Sequence, residues 1–136
     1  RRVNDNMGLF VANNLVKLLI QKGKKIGGAK TLMLGITFKE NCPDIRNSKV
    51  IDIYNELKQF NMEVDVYDPH ADFNEVKEAY GIKLIEKIIK KYEAIILSVS
   101  HNEFKELKIN SICSSTTSVV FDIKSFLDRD LVNARL

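Results

Sequence analysis

Two cationic side chains, Lys39 and Arg46, sit in a polar loop that follows a short apolar run, Leu32 to Ile36, and a third, Lys124, follows another run, Val119 to Ile123. Lysine offers a flexible point charge and arginine a planar fork of donors, and both suit phosphate oxygens. The chemistry on offer is the holding of an anionic ligand by side chains. A backbone cradle is not on offer, because the first loop carries one glycine, Gly35, where a dinucleotide fingerprint needs three. Lys39 and Arg46 have a plainer reading too, as solvated charges or partners of Glu40 and Asp44, since surface pairs contribute only about 0 to 1 kcal/mol. Arg46 beside Asp44 also reads as a pair that orients the loop. Two cations from different strands converging at one edge, Lys39 and Lys124, are more specific than either alone, since one anion could bridge them.

The other reactive side chains offer less. Cys42 and Cys113 are too few for a disulfide framework and lack CxxC spacing, so both read as reduced thiols, with Cys42 an inert small hydrophobe. His70 and His101 have no partner at metal-ligand spacing, and no metal site is read. His101, at the end of an apolar run, reads as a ligand contact or, preferably, as a satisfied structural hydrogen bond. Asp68 ends the run Val64 to Tyr67, where a Rossmann domain holds a ribose hydroxyl. Without the glycine-rich turn, a turn-forming role with Pro69 is the better reading.

The elements that must position these groups alternate between strand and helix. Apolar runs near residues 30 to 36, 63 to 67, 94 to 99 and 118 to 123 predict parallel strands, unbroken because both faces are buried. The loops after them then share the carboxyl edge, where open α/β sheets bind ligands. Val50, Ile53, Tyr54 and Leu57 mark a helix face, with Asn47 or Ser48 as its cap. Val76 to Ile82 reads as a short helix running into an extended stretch, Leu84 to Lys91 as a basic helix, Phe104 to Cys113 as helix and turn, and the polar tail as a last short helix. At the start, Met7, Phe10, Val11, Leu15, Leu18 and Leu19 give a broad apolar face to a helix over Val3 to Ile20. It needs a partner beyond the domain, a second copy, or the sheet itself. Gly23, Gly27 and Gly28 among lysines suggest a flexible linker. The predicted architecture is a three-layer, Rossmann-like α/β domain with a parallel sheet (29–136), preceded by a long amphipathic helix and linker (1–28) that stands partly apart.

Composition narrows the partners. The chain has 136 residues, 45% of them hydrophobic, which is one domain's worth of core. A net charge of +3 with no basic run among aromatics argues against nucleic acid. No apolar segment reaches membrane-spanning length and no signal peptide opens the sequence, so a cytoplasmic protein is expected. Arg1 reads as the start of an excised fragment.

The motifs also carry a resemblance. Leu34-Gly35-Ile36-Thr37-Phe38-Lys39 with Asp44-Ile45-Arg46-Asn47-Ser48 resembles the signature of the C-terminal domain of the UDP-glucose/GDP-mannose dehydrogenase family. It continues through Val66-Tyr67-Asp68-Pro69, Ser98 to Phe104, and Phe121-Asp122-Ile123-Lys124. The variant Glu40-Asn41-Cys42-Pro43-Asp44 is similar to the branch that oxidises UDP-N-acetylhexosamines (UDP-GlcNAc, UDP-GalNAc) for bacterial surface polysaccharides. The resemblance implies the UDP-sugar-binding domain of an NAD-dependent 6-dehydrogenase, which oxidises a sugar alcohol twice to a carboxylate. It places a diphosphate or sugar contact at Lys39, with Phe38 an apolar surface beside it; Lys124 and then Arg46 follow as substrate-contact candidates. The family's catalytic cysteine lies in a glycine-rich motif of a central domain that this sequence lacks, as it lacks the N-terminal NAD domain. The resemblance therefore implies no catalytic residue here, NAD in the full-length enzyme but not on this fragment, and a homodimer formed through the central region. Ser125 departs from the family's frequent glycine, which bears on the local turn. The reading from another class is a freestanding Rossmann-like module binding a mononucleotide or NAD for regulation.

Overall fold

The computed structural model describes residues 7–136. Five strands, all parallel, form one sheet: β1 (Lys30–Leu34), β2 (Glu63–Tyr67), β3 (Ala94–Leu97), β4 (Val119–Asp122) and β5 (Ala134–Arg135), in the spatial order β2-β1-β3-β4-β5. The four expected strands are present. Among the described residues three α-helices accompany them, α1 (Met7–Gln21), α2 (Ile51–Gln59) and α3 (Phe73–Tyr80). This is a Rossmann-like α/β architecture.

The apolar runs are continuous because successive side chains leave a strand on opposite faces and both faces are covered. Met33, Ala94, Ile96, Val119 and Phe121 join one core with residues of α1, α2 and α3, whereas Leu32, Leu34, Ile95, Leu97 and Val120 join a second. At about 1.5 to 3 kcal/mol for each large side chain buried, these two layers dominate the stabilisation. Among the described residues the second layer holds no α-helix. It is built from 3-10 turns at Asn102–Glu106 and Ile109–Ile112 with extended chain between them, from which Phe104, Leu107, Ile109 and Ile112 turn inward.

Several expectations are corrected. The segment Leu84 to Lys91 is not a helix. Leu84 packs into the first core and its neighbour Ile85 against the second, an alternation only extended chain provides, and the Ile85 amide donates to the Val66 carbonyl (3.0 Å). Neither Asn47 nor Ser48 caps α2. Asn47 takes a left-handed conformation (φ 59°), and the Ser48 hydroxyl donates to the Ile36 carbonyl (2.7 Å), tying the loop back to β1. The tail forms a 3-10 turn at Arg129–Leu131 and then β5, whose two residues are too few to show a period in the sequence.

Helix α1 does not stand apart. Val11, Ala12, Leu15, Val16 and Leu19 are buried in the first core, and a Cβ at Gly8 would lie 2.5 Å from Cβ of Asp52 on α2. The two helices cross in contact, which glycine permits. The expected beginning of this helix at Val3 lies outside the described residues. After it, Gly23 (φ 75°) closes a Schellman motif, with its amide donating to the Ile20 carbonyl and that of Lys24 to Leu19. The glycine-rich connection is held in place, because Gly28 donates to the Asn61 carbonyl (2.8 Å) and Ala29 to Ile26 (3.0 Å). The apolar face of α1 nevertheless exceeds what the core covers, and Phe10 and Ile20 are 55% and 59% exposed.

Candidate functional site

The chain runs from β1 to β2 on one side and reaches β3 on the other, so the sheet order reverses between β1 and β3. Loops there diverge and leave a crevice. Gly35, at φ 102°, lets the chain leave β1 against Val99, whose Cβ would be 2.5 Å from any Cβ at that position. The Ser98 hydroxyl reaches the carbonyls of Leu34 (3.0 Å) and Gly35 (2.7 Å) and fixes the two strand ends together. A cleft of about 240 Å³ opens beside this junction, lined by Phe38, Lys49, Val99 and Lys124 among others.

The structure thus brings Phe38 and Lys124 together, from the loops after β1 and β4. Phe38 is 53% exposed, an apolar surface in water. Lys39 is exposed on the adjacent loop position and does not line this cleft; its carbonyl accepts from the Thr37 hydroxyl (3.0 Å). Arg46 faces elsewhere. Its guanidinium grips Asp44 through two bonds of 3.0 Å, and its own amide donates to the same carboxylate (2.9 Å). The side-chain bond to Arg46 is the chief reason the Asp44 carboxyl is held below the usual carboxylate range. This pair borders a wider groove of about 770 Å³ against Glu75, Glu78 and Tyr80 of α3. Lys49 is the cationic lining residue that sequence reasoning missed. It has no strand-end signal, because it lies just before α2 and enters the cleft only through the path of the loop.

Lys124 is placed by Asp122, the last residue of β4. The Asp122 carboxylate is fully buried and accepts from the amides of Lys124 (3.0 Å), Phe126 (2.7 Å) and Leu127 (2.7 Å). Ser125 takes a left-handed conformation inside this turn (φ 53°). The turn that glycine would favour is retained with serine, because three amides aimed at one carboxylate outweigh roughly 1 to 2 kcal/mol of steric cost.

Asp68 does the same after β2, on a larger scale. One carboxylate oxygen accepts from the amides of His70 (2.8 Å) and Ala71 (3.2 Å), giving the turn expected of it. The other accepts from the amides of Ile36 (2.7 Å) and Thr37 (3.2 Å) and lies 3.0 Å from His101 Nε2. Burial pushes this carboxyl upward, but the bonds from His101, Ile36 and His70 outweigh it and hold it below its ordinary value. His101 is fully buried, in a structural hydrogen bond as preferred. Its Nδ1 accepts from the Asn41 amide (2.8 Å), so the ring proton sits on Nε2, facing Asp68 and the Thr37 hydroxyl (3.2 Å).

The two cysteines are free. Burial pushes the Cys113 thiol up, which disfavours a thiolate, with a weaker opposing bond from Ser118. Among the described residues, no three side chains of histidine, cysteine, aspartate or glutamate are grouped as a metal site would need, and no helix is long and apolar enough to cross a membrane.

A parallel sheet with a small cleft at its switch point, bordered by an aromatic ring and two lysines in place of a glycine-rich loop, defines a Rossmann-like α/β domain. Residues 32–129 match the UDP binding domain of the UDP-glucose/GDP-mannose dehydrogenase family, and the chain belongs to that family. It is 41% identical over its whole length to UDP-N-acetyl-D-glucosamine 6-dehydrogenase of Salmonella typhi, and 42% identical over 98% of its length to protein CapL of Staphylococcus aureus. It spans about a third of each, 33% and 32% respectively. Among solved structures, the NDP-N-acetyl-D-galactosaminuronic acid dehydrogenase of Methanosarcina mazei Go1 superposes on 96% of the chain and 28% of its own length, with a TM-score of 0.82 and 25% identity.

Proposed function

We propose that this chain is the nucleotide-sugar-binding domain of an NAD-dependent UDP-N-acetylhexosamine 6-dehydrogenase of surface polysaccharide biosynthesis, acting in the cytoplasm. The observation that carries the reading is the cleft at the switch point. Phe38 offers a face to an apolar part of the ligand, and Lys49 and Lys124 offer charge to its diphosphate, with Lys39 at the rim able to reach phosphate or sugar. Arg46 is engaged by Asp44 and serves this site by shaping the loop. The similarity of the whole chain to UDP-N-acetylglucosamine and related dehydrogenases supports the same ligand class.

In this reading NAD is bound elsewhere in the enzyme: no glycine-rich turn follows β1, and both Asp68 oxygens accept from protein donors rather than facing a ribose. The domain's own work is to bind and orient the nucleotide sugar, while the nucleophile and the hydride acceptor belong to the rest of the enzyme, which is a homodimer in this reading. The regulatory-module alternative predicts tight NAD binding.

Calorimetric titration of the chain with UDP, a UDP-N-acetylhexosamine and NAD tests the proposal. Half of the cleft belongs to a neighbouring domain in this reading, so UDP should bind in the millimolar range, about −4 kcal/mol, and NAD not appreciably. In the complete enzyme, Lys124→Ala or Lys39→Ala should weaken UDP-sugar binding by roughly tenfold or more, since a charge-assisted phosphate contact contributes about 1.5 to 3 kcal/mol. Tight NAD binding with no response to UDP would overturn the assignment, and unchanged affinity would remove that lysine from the site.

A further inference from the structure

We infer that His101 is the positioning residue for the nucleotide-sugar loop, with the Asp68–His101 pair acting as the clamp that holds Phe38 at the cleft and Lys39 on the loop beside it; this rests on the binding role proposed above. The loop after β1 is held on both sides of Phe38 and Lys39 by one imidazole and one carboxylate. Before them, the Ile36 and Thr37 amides bind Asp68, and the Thr37 hydroxyl lies against His101 Nε2. After them, the Asn41 amide donates to His101 Nδ1, and the Asn41 side-chain carbonyl accepts from the Asn102 amide (2.9 Å). Asn41 reaches the ring in a left-handed conformation (φ 56°), which asparagine tolerates better than most residues.

The ring itself has little freedom. His70 packs on it with centroids 4.4 Å apart, Phe104 at 5.4 Å, and His70 is in turn held by Glu103 (2.9 Å). His101, Thr37 and Asp68 are almost wholly buried, whereas Phe38 and Lys39 are exposed. Rigid anchors beneath two exposed contact residues are what a loop needs to present them in one geometry, so that little ordering cost falls on binding. His101 touches no ligand in this scheme and acts through the loop.

The two ring nitrogens have separable jobs, which makes the scheme testable. In the complete enzyme, His101→Gln can keep a donor to Asp68 while losing the acceptor for Asn41, and His101→Asn can do the reverse. The readouts are amide hydrogen exchange over residues 38–41, the dissociation constants for UDP and NAD, and kcat against KM. We expect His101→Gln to speed exchange in this segment by tenfold or more and to raise KM and the UDP constant about tenfold, with kcat and NAD affinity little changed. His101→Asn keeps the acceptor for Asn41 while the Ile36 and Thr37 amides still bind Asp68, so it should lose less than His101→Gln in both readouts. Unchanged exchange in a folded His101→Gln enzyme would overturn the clamp, as would faster exchange with unchanged UDP affinity. Equal losses in both variants would reduce His101 to a packing residue and overturn the assignment too. If the wild-type enzyme fails to bind UDP, the functional reading fails separately, and the exchange data still decide whether the clamp exists.

Discussion

Asp68 and Asp122 show how a single carboxylate after a strand can organise a ligand edge. Each turns the chain by accepting amides two or more residues ahead, and Asp68 also reaches across to the end of β1. Because the folded Asp68 carboxyl titrates below its unfolded value of about 3.9, its contribution is complete above that pH and is lost as pH falls through the lowered folded value. Urea unfolding of Asp68→Asn should show a loss of about 2 kcal/mol or more at pH 7, and a gap from wild type that narrows below about pH 4. A gap independent of pH would mean the charge contributes nothing. Ser125 supplies the opposite case, a residue in a conformation that suits another. Ser125→Gly removes the Cβ clash at φ 53° at the cost of a looser unfolded chain, and the balance should favour the variant by up to about 1 kcal/mol, read from its urea midpoint.

At the scale of elements, the junction of β1 with β3 sets the position of the cleft. Gly35 there combines a left-handed backbone with a contact that leaves no space for a side chain. Gly35→Ala should destabilise by about 2 to 5 kcal/mol, adding the conformational cost to that of overpacking. A thermal midpoint within a degree or two of wild type would show that β1 and β3 can part without loss, contrary to the geometry. The edges behave differently from the centre. β2 is only partly buried and extended chain runs alongside it, whereas β1, β3 and β4 are buried nearly throughout.

For the whole molecule, α1 is both part of the core and a surface left over. Its buried stripe, Val11 to Leu19, packs on α2 and the sheet, while Leu9, Phe10 and Ile20 remain exposed. If this second stripe serves the homodimer proposed for the complete enzyme, Phe10→Glu should leave the thermal midpoint of the chain nearly unchanged but shift sedimentation of the enzyme toward the monomer. An undiminished dimer at low micromolar concentration would exclude Phe10 from the interface. Surface substitutions away from buried networks usually cost within about 0.5 kcal/mol, so the fold itself should tolerate the change.

What the sequence by itself determined follows from local rules. Runs such as Leu32 to Ile36 and Ala94 to Leu97 read as interior strands, because they are too short for a helix and a strand covered on both faces buries every side chain. Their alternation with helix signals implied a parallel sheet, and hence one carboxyl edge carrying Phe38 and Lys124. Asp68 as a turn former and His101 as a structural partner were readable from their places after strands, although nothing in the sequence said they were each other's partner, 33 residues apart. The rest depended on where the chain travels in three dimensions. Leu84 and Ile85 look like one helical face until the two cores claim them from opposite sides. α1 looked like a projecting handle because periodicity reports an apolar face but not what covers it. Lys49 enters the cleft and Arg46 turns away from it because Asn41 and Ser48 tie the loop to His101 and Ile36, just past the ends of β3 and β1, and Asn47 turns it in a left-handed conformation; such long-range bonds leave no periodic trace in the chain.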